Sequence, residues 1–532
     1  MCASLALLPT ARAEELSRSD KLRVLYSNQF AFDRDGVPLI TVRIAEGLSA
    51  TTIEGSAPVR VFPDGEDGSE VQGSRRWRVA IRSGRRARMQ HFAVLAQEPI
   101  GALADLQQKM RLWRGRGART QMIEIGTIFG VKGRVFDNRS YVLADGPYAT
   151  AKQAEQAAER YKKNHGLEKI STLPQLKRRP TARFEATDAE TSAKVIVRDA
   201  IWFAPAGDGQ LTVRGEDGKA SSYWGQIYVT VDRNGKLAVV NAVPAHRLLA
   251  GLVPAEIFPG APPAALRAQA VAARGELLAK IGTRHLVDPY LLCSTQHCQV
   301  YRGAGHENPR TTQAVVATKG QVLVRKDGRL VDTVYSASCG GHTEHNDSAW
   351  PVKPDVNLRG HLDGEGAALA PFRHGITERN IEAWLSSRPR AWCNHPRYNR
   401  DKFRWTKRLS VGAAQRLLAE HGVGDLRTIR VLARGVSGRA TLVEVEGSRG
   451  KSQIRGELNI RRSLGNLRSS MFIVKAVTGG DGRLRELVFQ GGGWGHGVGM
   501  CQTGAIGMAD AGRSHGQILG HYYPHSELQS LY

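Results

Sequence analysis

One carboxylate stands out by its surroundings. Glu256 sits among apolar neighbours (Val253, Ile257 and Phe258) just ahead of an alanine-rich stretch. Taking a carboxylate out of water disfavours its charged form, so partial burial here would let this residue keep a proton near neutral pH, whereas an exposed loop glutamate would be a solvated surface group. Arg274, farther along the same stretch, is placed to reach the same cleft. A second constellation lies in HLVDPYLLCSTQHCQVYRG, where His285, Cys293, His297 and Cys298 are ligand types suited to a tetrahedral zinc site. Adjacent residues point opposite ways on a strand, so His297 and Cys298 can share a metal only if the chain forms a loop there. A Cys293–Cys298 disulfide and a pair of free thiols are the competing readings.

Two further segments carry groups suited to a sugar. In YSASCGGHTEHNDSAW, Tyr335, Ser336, Ser338, His342 and Glu344 can hydrogen-bond hydroxyls, with Glu344 as the alternative acid. The C-terminal run GGGWGHGVGMCQTGAIG sets Trp494, His496 and Gln502 among eight glycines between 491 and 507. Trp494 offers a stacking face, His496 an orienting group and Gln502 an amide. Ordering so many glycines costs entropy, so neighbouring elements must fix this loop. Its glycine spacing lacks the Gly-Lys-Ser/Thr of a phosphate-binding loop. A Cys501–His496 nucleophilic pair is geometrically awkward on one loop.

The elements that must position these groups are legible from periodicity. Alternating apolar and polar residues from 22 to about 85 predict short strands. A strand at 91–97, a helix from Ile100 to Arg114, two further strands and a helix from Thr150 to Asn164 predict a compact βαββα unit. Residues 171–195, polar with two prolines, read as a linker. Strands resume at Ile196. Pro263 suits a first helical turn, and Ala264 to Ile281 is a strong helix with Leu266, Ala270, Ala273 and Leu277 on one face. The fold class expected is α+β: a β-rich domain around a central alanine-rich helix, with a small ferredoxin-like insert.

Composition limits the function classes. With 532 residues, 41% hydrophobic and 23% charged, the chain is long enough for several folded units. No apolar run approaches the roughly 18 residues of a membrane-spanning helix. Lys plus Arg number 75 against 50 acidic residues, a net charge of +25 that suits a polyanionic surrounding. No nucleic-acid-reading motif accompanies that charge, so nucleic acid is not among the expected partners. Residues 1–13 end in Ala11-Arg12-Ala13 and read as the tail of a secretory signal peptide, which places the chain in the periplasm or outside the cell. Six cysteines are too few for a disulfide scaffold, and removal of Cys2 with the signal leaves an odd number.

Taken in order, VPAEIFPGAPPAALRAQAVAAR (253–274), CSTQHCQVYRG (293–303), AVVATKGQVLV (314–324), YSASCGGHTEHNDSAW (335–350) and GGGWGHGVGMCQTGAIGMADAGRSHGQILGHYYP (491–524) resemble the SpoIID/LytB family of sporulation and amidase-enhancer proteins. That resemblance implies a domain over 196–532 that acts on peptidoglycan, either as a lytic transglycosylase of denuded glycan strands or as an enhancer of a wall amidase. It implies Glu256 as the general acid and structural zinc in the Cys/His segment, with no organic cofactor. Two departures bear on the pocket: Ile257-Phe258-Pro259 stands where the family usually has Met-Pro, and Gly275 where it often has threonine. SYVLADGPYATAKQAEQAAERYKKNHG, within 88–170, resembles the second half of a SPOR domain, which implies binding to glycan stripped of its stem peptides. The segment 22–87 is then an N-terminal β-rich unit.

Overall fold

A computed structural model describes residues 25–27, 31–32, 37–63, 69–131, 134–167, 170–207, 209–214, 219–295, 297–395, 397–398 and 400–531. The signal-like segment 1–13, with Cys2, lies outside these residues.

Period-two alternation builds two antiparallel sheets. One runs Lys194–Arg198, Thr181–Asp188, Arg76–Arg85, Ala50–Gly55, Gln210–Arg214 and Ala220–Trp224 in spatial order. The other centres on Pro38–Leu48, Leu237–Pro244, Gln226–Val231 and Ala200–Ala204. Their inward residues, among them Ile53, Trp77, Val79 and Phe184 from the first and Ile40, Val42, Phe203 and Val239 from the second, share one core. The Trp77 and Phe203 rings meet across it at 6.4 Å. Each sheet takes strands from both sides of residue 88, so 22–87 is not a separate unit. It completes the same sandwich as residues beyond 196.

The middle of the chain leaves and re-enters this sandwich between two paired strands, because Arg76–Arg85 and Thr181–Asp188 are neighbours. Between them lies a four-stranded antiparallel sheet ordered Thr172–Arg178, Arg88–Pro99, Ser140–Tyr148, Thr120–Ile125. It is covered on one face by helices α1 (Leu103–Gly115) and α2 (Ala151–His165). A capping box between Thr150 and Gln153 starts α2. Where composition predicts a linker at 171–195, the chain forms an edge strand of the insert and then a strand of the sandwich. The two prolines occupy an edge position and the inter-strand gap, where a missing N–H is harmless. The insert is docked, not tethered: Lys353 Nζ reaches both Glu98 oxygens at 2.7 and 2.6 Å, and Gly126 N–H donates to the Gly282 carbonyl at 2.6 Å.

After the last sandwich strand come helices α3 (Ala245–Glu256) and α4 (Pro263–Lys280). The stretch before Pro259 reads as an approach, yet it is helical through Glu256, with Pro254 in the final turn. In α4 the alanines allow burial nearly all round. Gly275 lacks a Cβ that would collide with Thr333 Oγ1, which itself donates to the Ala272 carbonyl at 2.7 Å. Thr333 thus occupies the space a side chain at 275 would need. Residues 404–490 add two three-stranded sheets with their own core. The architecture is a β-rich α+β fold with several antiparallel sheets, and α4 packs chiefly against other helices. Among the described residues no helix is long and apolar enough to cross a membrane.

Candidate functional site

Glu256 closes α3, where the helix dipole already disfavours negative charge. It lines a cavity of about 520 Å³ together with Ile257, Phe258, Ala337, Arg397, Tyr398, Lys402, Gln502, Thr503 and Ile506. Burial and the nearby Glu276 charge raise its pKa to about 7, against weaker lowering by Lys280 and a Tyr335 hydrogen bond. Its backbone is fixed as well: Gln502 Nε2 donates to the Glu256 carbonyl at 2.8 Å and to Gln269 Oε1 at 3.2 Å. Gln502 opens helix α5 (Gln502–Asp510). Behind the carboxylate runs a polar chain in which Gln299 Nε2 bridges Tyr335 Oη at 3.3 Å and Glu276 Oε2 at 2.6 Å. Lys280 Nζ holds the other Glu276 oxygen at 2.6 Å.

Two short contacts bring distant motifs to this pocket. Tyr335–Ser336 pairs in parallel with Met500–Cys501, and Ser338 exchanges backbone hydrogen bonds with Trp494 at 3.1 and 2.8 Å. Trp494 is 38% exposed and stands beside the pocket, with Lys402 Nζ 5.7 Å and Arg468 4.9 Å from its ring centre. His496 packs at a tilt against Trp350, ring centres 4.8 Å apart, and accepts the Val498 N–H at Nδ1, so its neutral ring carries the proton on Nε2. Burial and the Arg439 charge hold its pKa down to about 3, which suits it to orienting and not to proton transfer.

Other expected residues lie elsewhere. Arg274 is fully buried and donates to the carbonyls of Gln321 and Val315 at 2.9 and 3.4 Å, tying α4 to its neighbours instead of facing the cleft. Ser336 and Ser338 are buried, and their contribution is the backbone pairing just described. His342 is buried, bonded through Nδ1 to the Thr343 carbonyl at 2.7 Å, and neutral, its pKa lowered to about 4 by burial. Glu344 is no acid for the cleft: its carboxylate accepts from His345 N, Val436 N, Ser437 N and Ser437 Oγ at 2.8, 3.0, 3.3 and 2.7 Å. Nearby, the indole of buried Trp405 donates to the Gly493 carbonyl at 2.9 Å, stapling the glycine loop.

Sequence reasoning missed the pocket's far wall. Phe258, 58% exposed, meets Tyr398 at 5.8 Å, so the departure from Met-Pro at this point supplies an aromatic rim. Arg397 and Lys402 add positive charge there. The signal was the aromatic and basic content of 392–405, but nothing in spacing says which of those residues turn inward. Arg439 was missed too. It is buried, bonds the carbonyls of Gly495 and Cys339, and occupies the space that a side chain at Gly497 (φ +80°) would need.

The Cys/His segment brings its four candidate ligands together. The ligand atoms of His285, Cys293, His297 and Cys298 lie within 4.8 Å of one another. Cys293 Sγ is 3.2 Å from Cys298 Sγ and 3.6 Å from His297 Nδ1, and His285 Nε2 is 3.3 Å from Cys298 Sγ. Cys293 is set in place by parallel pairing of Leu292–Cys293 with Val42–Arg43, and the chain loops from 294 onward. His285 Nδ1 donates to Asp288 at 3.0 Å, which leaves the Nε2 lone pair directed at the sulfurs. Burial alone would raise the Cys293 pKa, but hydrogen bonds from Thr295, Cys298 and His297 bring it down to about 5. The cluster can hold a metal ion, and the five described cysteines form no disulfide.

Residues 233–324, spanning α3, α4 and this cluster, match the stage II sporulation protein family. The chain carries a SpoIID-family domain. Residues 344–499 match a second family, described as a domain of unknown function (DUF8618), which overlaps the far wall and the 404–490 sheets. The chain is 29% identical over 304 residues to an uncharacterised protein of Brachyspira hyodysenteriae, covering 57% of this chain and 70% of that one. It is 28% identical to the amidase enhancer of Bacillus subtilis, over 53% of this chain and 40% of the enhancer. With stage II sporulation protein D of Bacillus subtilis the identity is 24% over 62% of this chain and 84% of that protein.

Proposed function

We propose that this protein is a peptidoglycan lytic transglycosylase that cuts MurNAc–GlcNAc bonds in denuded glycan strands, with Glu256 as its single acid and base. The observation that carries this reading is a protonatable Glu256 in a cavity where, among the described lining residues, it is the one carboxylate. Hydrolases of sugars ordinarily use two carboxylates, one of them to activate water or trap the sugar. A lone acid fits a reaction that needs neither. Protonated Glu256 gives its proton to the glycosidic oxygen, while the acetamido oxygen of the substrate stabilises the anomeric centre. The ionised carboxylate then takes the proton of the sugar's own 6-hydroxyl, which attacks the anomeric carbon and closes a 1,6-anhydro ring.

The walls suit that substrate. Phe258, Tyr398 and Trp494 offer faces to sugar rings, and Arg397, Lys402 and Arg468 suit the lactyl carboxylate left where a stem peptide has been removed. The insert supports the same substrate. We read it as the glycan-binding unit: a four-stranded sheet with two helices on one face, docked so that it is fixed relative to the cleft. Bound zinc at His285, Cys293, His297 and Cys298 would be structural, tying His285, His297 and Cys298 to the strand pair Leu292–Cys293 and Val42–Arg43. The net charge of +25 suits an anionic wall in the periplasm or outside the cell.

The similarity to an amidase enhancer favours one rival, a non-catalytic glycan-binding activator. One experiment separates the two. Purified protein is incubated with amidase-treated glycan, and the products are read by mass spectrometry. The enzyme releases 1,6-anhydro ends and Glu256→Gln does not. An absence of anhydro products from the unaltered protein, with faster cleavage by an added amidase, overturns the transglycosylase in favour of the activator.

A further inference from the structure

We propose that Cys339, Asp363, Cys393 and Cys501 form a second metal centre that takes a soft divalent ion, zinc in the first instance, and braces the walls of the Glu256 pocket from behind. The four residues come from segments far apart in sequence, yet their ligand atoms all lie within 4.8 Å of one another and all four are buried. Cys339 Sγ is 3.0 Å from Asp363 Oδ2 and 3.5 Å from Cys393 Sγ. Three sulfurs and one carboxylate oxygen are four donors of types that zinc takes.

The surroundings are built for such a centre. Asp363 turns its other oxygen outward, where it meets Tyr522 Oη at 2.7 Å and His521 Nε2 at 3.2 Å, so Oδ2 is aimed at the sulfurs. Cys501 Sγ accepts the backbone N–H groups of Cys339 and Gly504 at 3.1 and 3.3 Å, an arrangement that favours a thiolate. Gly504 has no side chain because a Cβ there would meet Tyr522 Oη and Asp363 Oδ2. Arg404, buried and bonded to the carbonyls of Gly340 and Trp384 at 3.0 and 2.8 Å, lies within electrostatic reach of Cys339 and Cys393 and would offset the charge of their metal-bound thiolates. A Cys339–Cys393 disulfide would leave the Asp363 carboxylate without a cation among the sulfurs and Cys501 alone. A divalent ion accounts for all four groups, and its binding releases the thiol protons.

The position gives the centre its role. Cys501 directly precedes Gln502 and Thr503, Cys339 follows Ala337, and Cys393 leads into Arg397 and Tyr398, so each cysteine abuts a lining segment of the pocket. Bound metal would hold three walls in register, whether the pocket cuts glycan or only binds it.

The test is metal content of the full chain, purified in the presence of zinc and desalted. Inductively coupled plasma mass spectrometry is expected to give two zinc equivalents per chain. Cys501→Ser or Asp363→Asn should reduce this to one, and a Cys293→Ser, Cys298→Ser variant should reduce it to one independently. X-ray absorption on the unaltered protein keeps the inference falsifiable if a variant does not fold: one S2N2 and one S3O centre average about 2.5 sulfurs per zinc at about 2.3 Å. A single equivalent with two sulfurs overturns the proposal. So does a peptide map showing a Cys339–Cys393 disulfide in the zinc-loaded protein.

Discussion

Glu256 and Glu344 are both removed from bulk water, both belong to motifs that suggest an acid, and the fold treats them in opposite ways. Around Glu344 the turn at 435–437 wraps tightly enough that a Cβ at Gly435 would strike the carboxylate, and four donors engage its two oxygens. Such a carboxylate is a clamp, joining the 335–350 loop to the 404–490 sheets. Glu256 has the backbone of α3 held by Gln502, but among the described residues the hydrogen bond to its carboxylate comes from Tyr335 alone. Burial raises the proton affinity of both carboxylates, but only Glu256, with few donors on its oxygens and a cavity in front of it, has a proton free for delivery. Burial with donors makes it part of the scaffold.

The sharpest way to break this comparison is to remove each charge without changing shape. Glu256→Gln is expected to lower anhydro-product formation by roughly 10²–10⁴-fold, the usual worth of proton transfer, with the fold intact by circular dichroism. Glu344→Gln should do the reverse. It puts an amide among N–H donors and is expected to destabilise the protein by about 1–3 kcal/mol in urea unfolding, with activity per folded molecule preserved. Equal loss of activity in both variants would erase the distinction.

A thermodynamic version follows from the raised pKa of about 7 at Glu256. In the unfolded chain the group ionises near its ordinary value of 4.5, whereas the folded protein holds the proton until about pH 7. Between those values the native state binds more protons, so this group makes stability fall as pH rises. Glu256→Gln removes the effect. The variant should match the unaltered protein at pH 4 and exceed it at pH 8, by at most about 3 kcal/mol. A constant difference across that range would show that the carboxylate ionises in the folded state as it does in water.

The same contrast explains what the sequence could and could not reveal. Local spacing exposes His285, Cys293, His297 and Cys298, because four ligands within 14 positions can meet only by a loop. It also exposes α4, whose alanines and Pro263 specify a buried helix. Glu256 is legible through its apolar neighbours. Illegible were contacts made by sheet and loop topology: Arg274 turning toward Gln321, Arg439 filling the glycine loop, and Phe258 meeting Tyr398 across the cavity. Cys339, Cys393 and Cys501 look scattered because no local period links them. The strand in 171–178 was hidden by its prolines, which an edge position tolerates.

The smallest expected effect is the most discriminating about what sets the Glu256 proton affinity. Glu276 raises it through like charge and Lys280 lowers it, and the two are themselves paired at 2.6 Å. Glu276→Gln removes the repulsion and leaves the lysine charge, so the alkaline limb of the activity profile, expected at about pH 7, should move to lower pH. Lys280→Gln leaves Glu276 unopposed and should move the same limb to higher pH. Each displacement should be about 0.5–1 unit, since one unit corresponds to only about 1.4 kcal/mol. Opposite signs from two neighbouring substitutions cannot arise from a general loosening of α4, which would shift both limbs alike. They would also separate Glu256 from Glu344, whose clamp lies beyond these charges. If both variants leave the limb in place, some other group governs the profile, and the contrast between the two glutamates has to be drawn from stability alone.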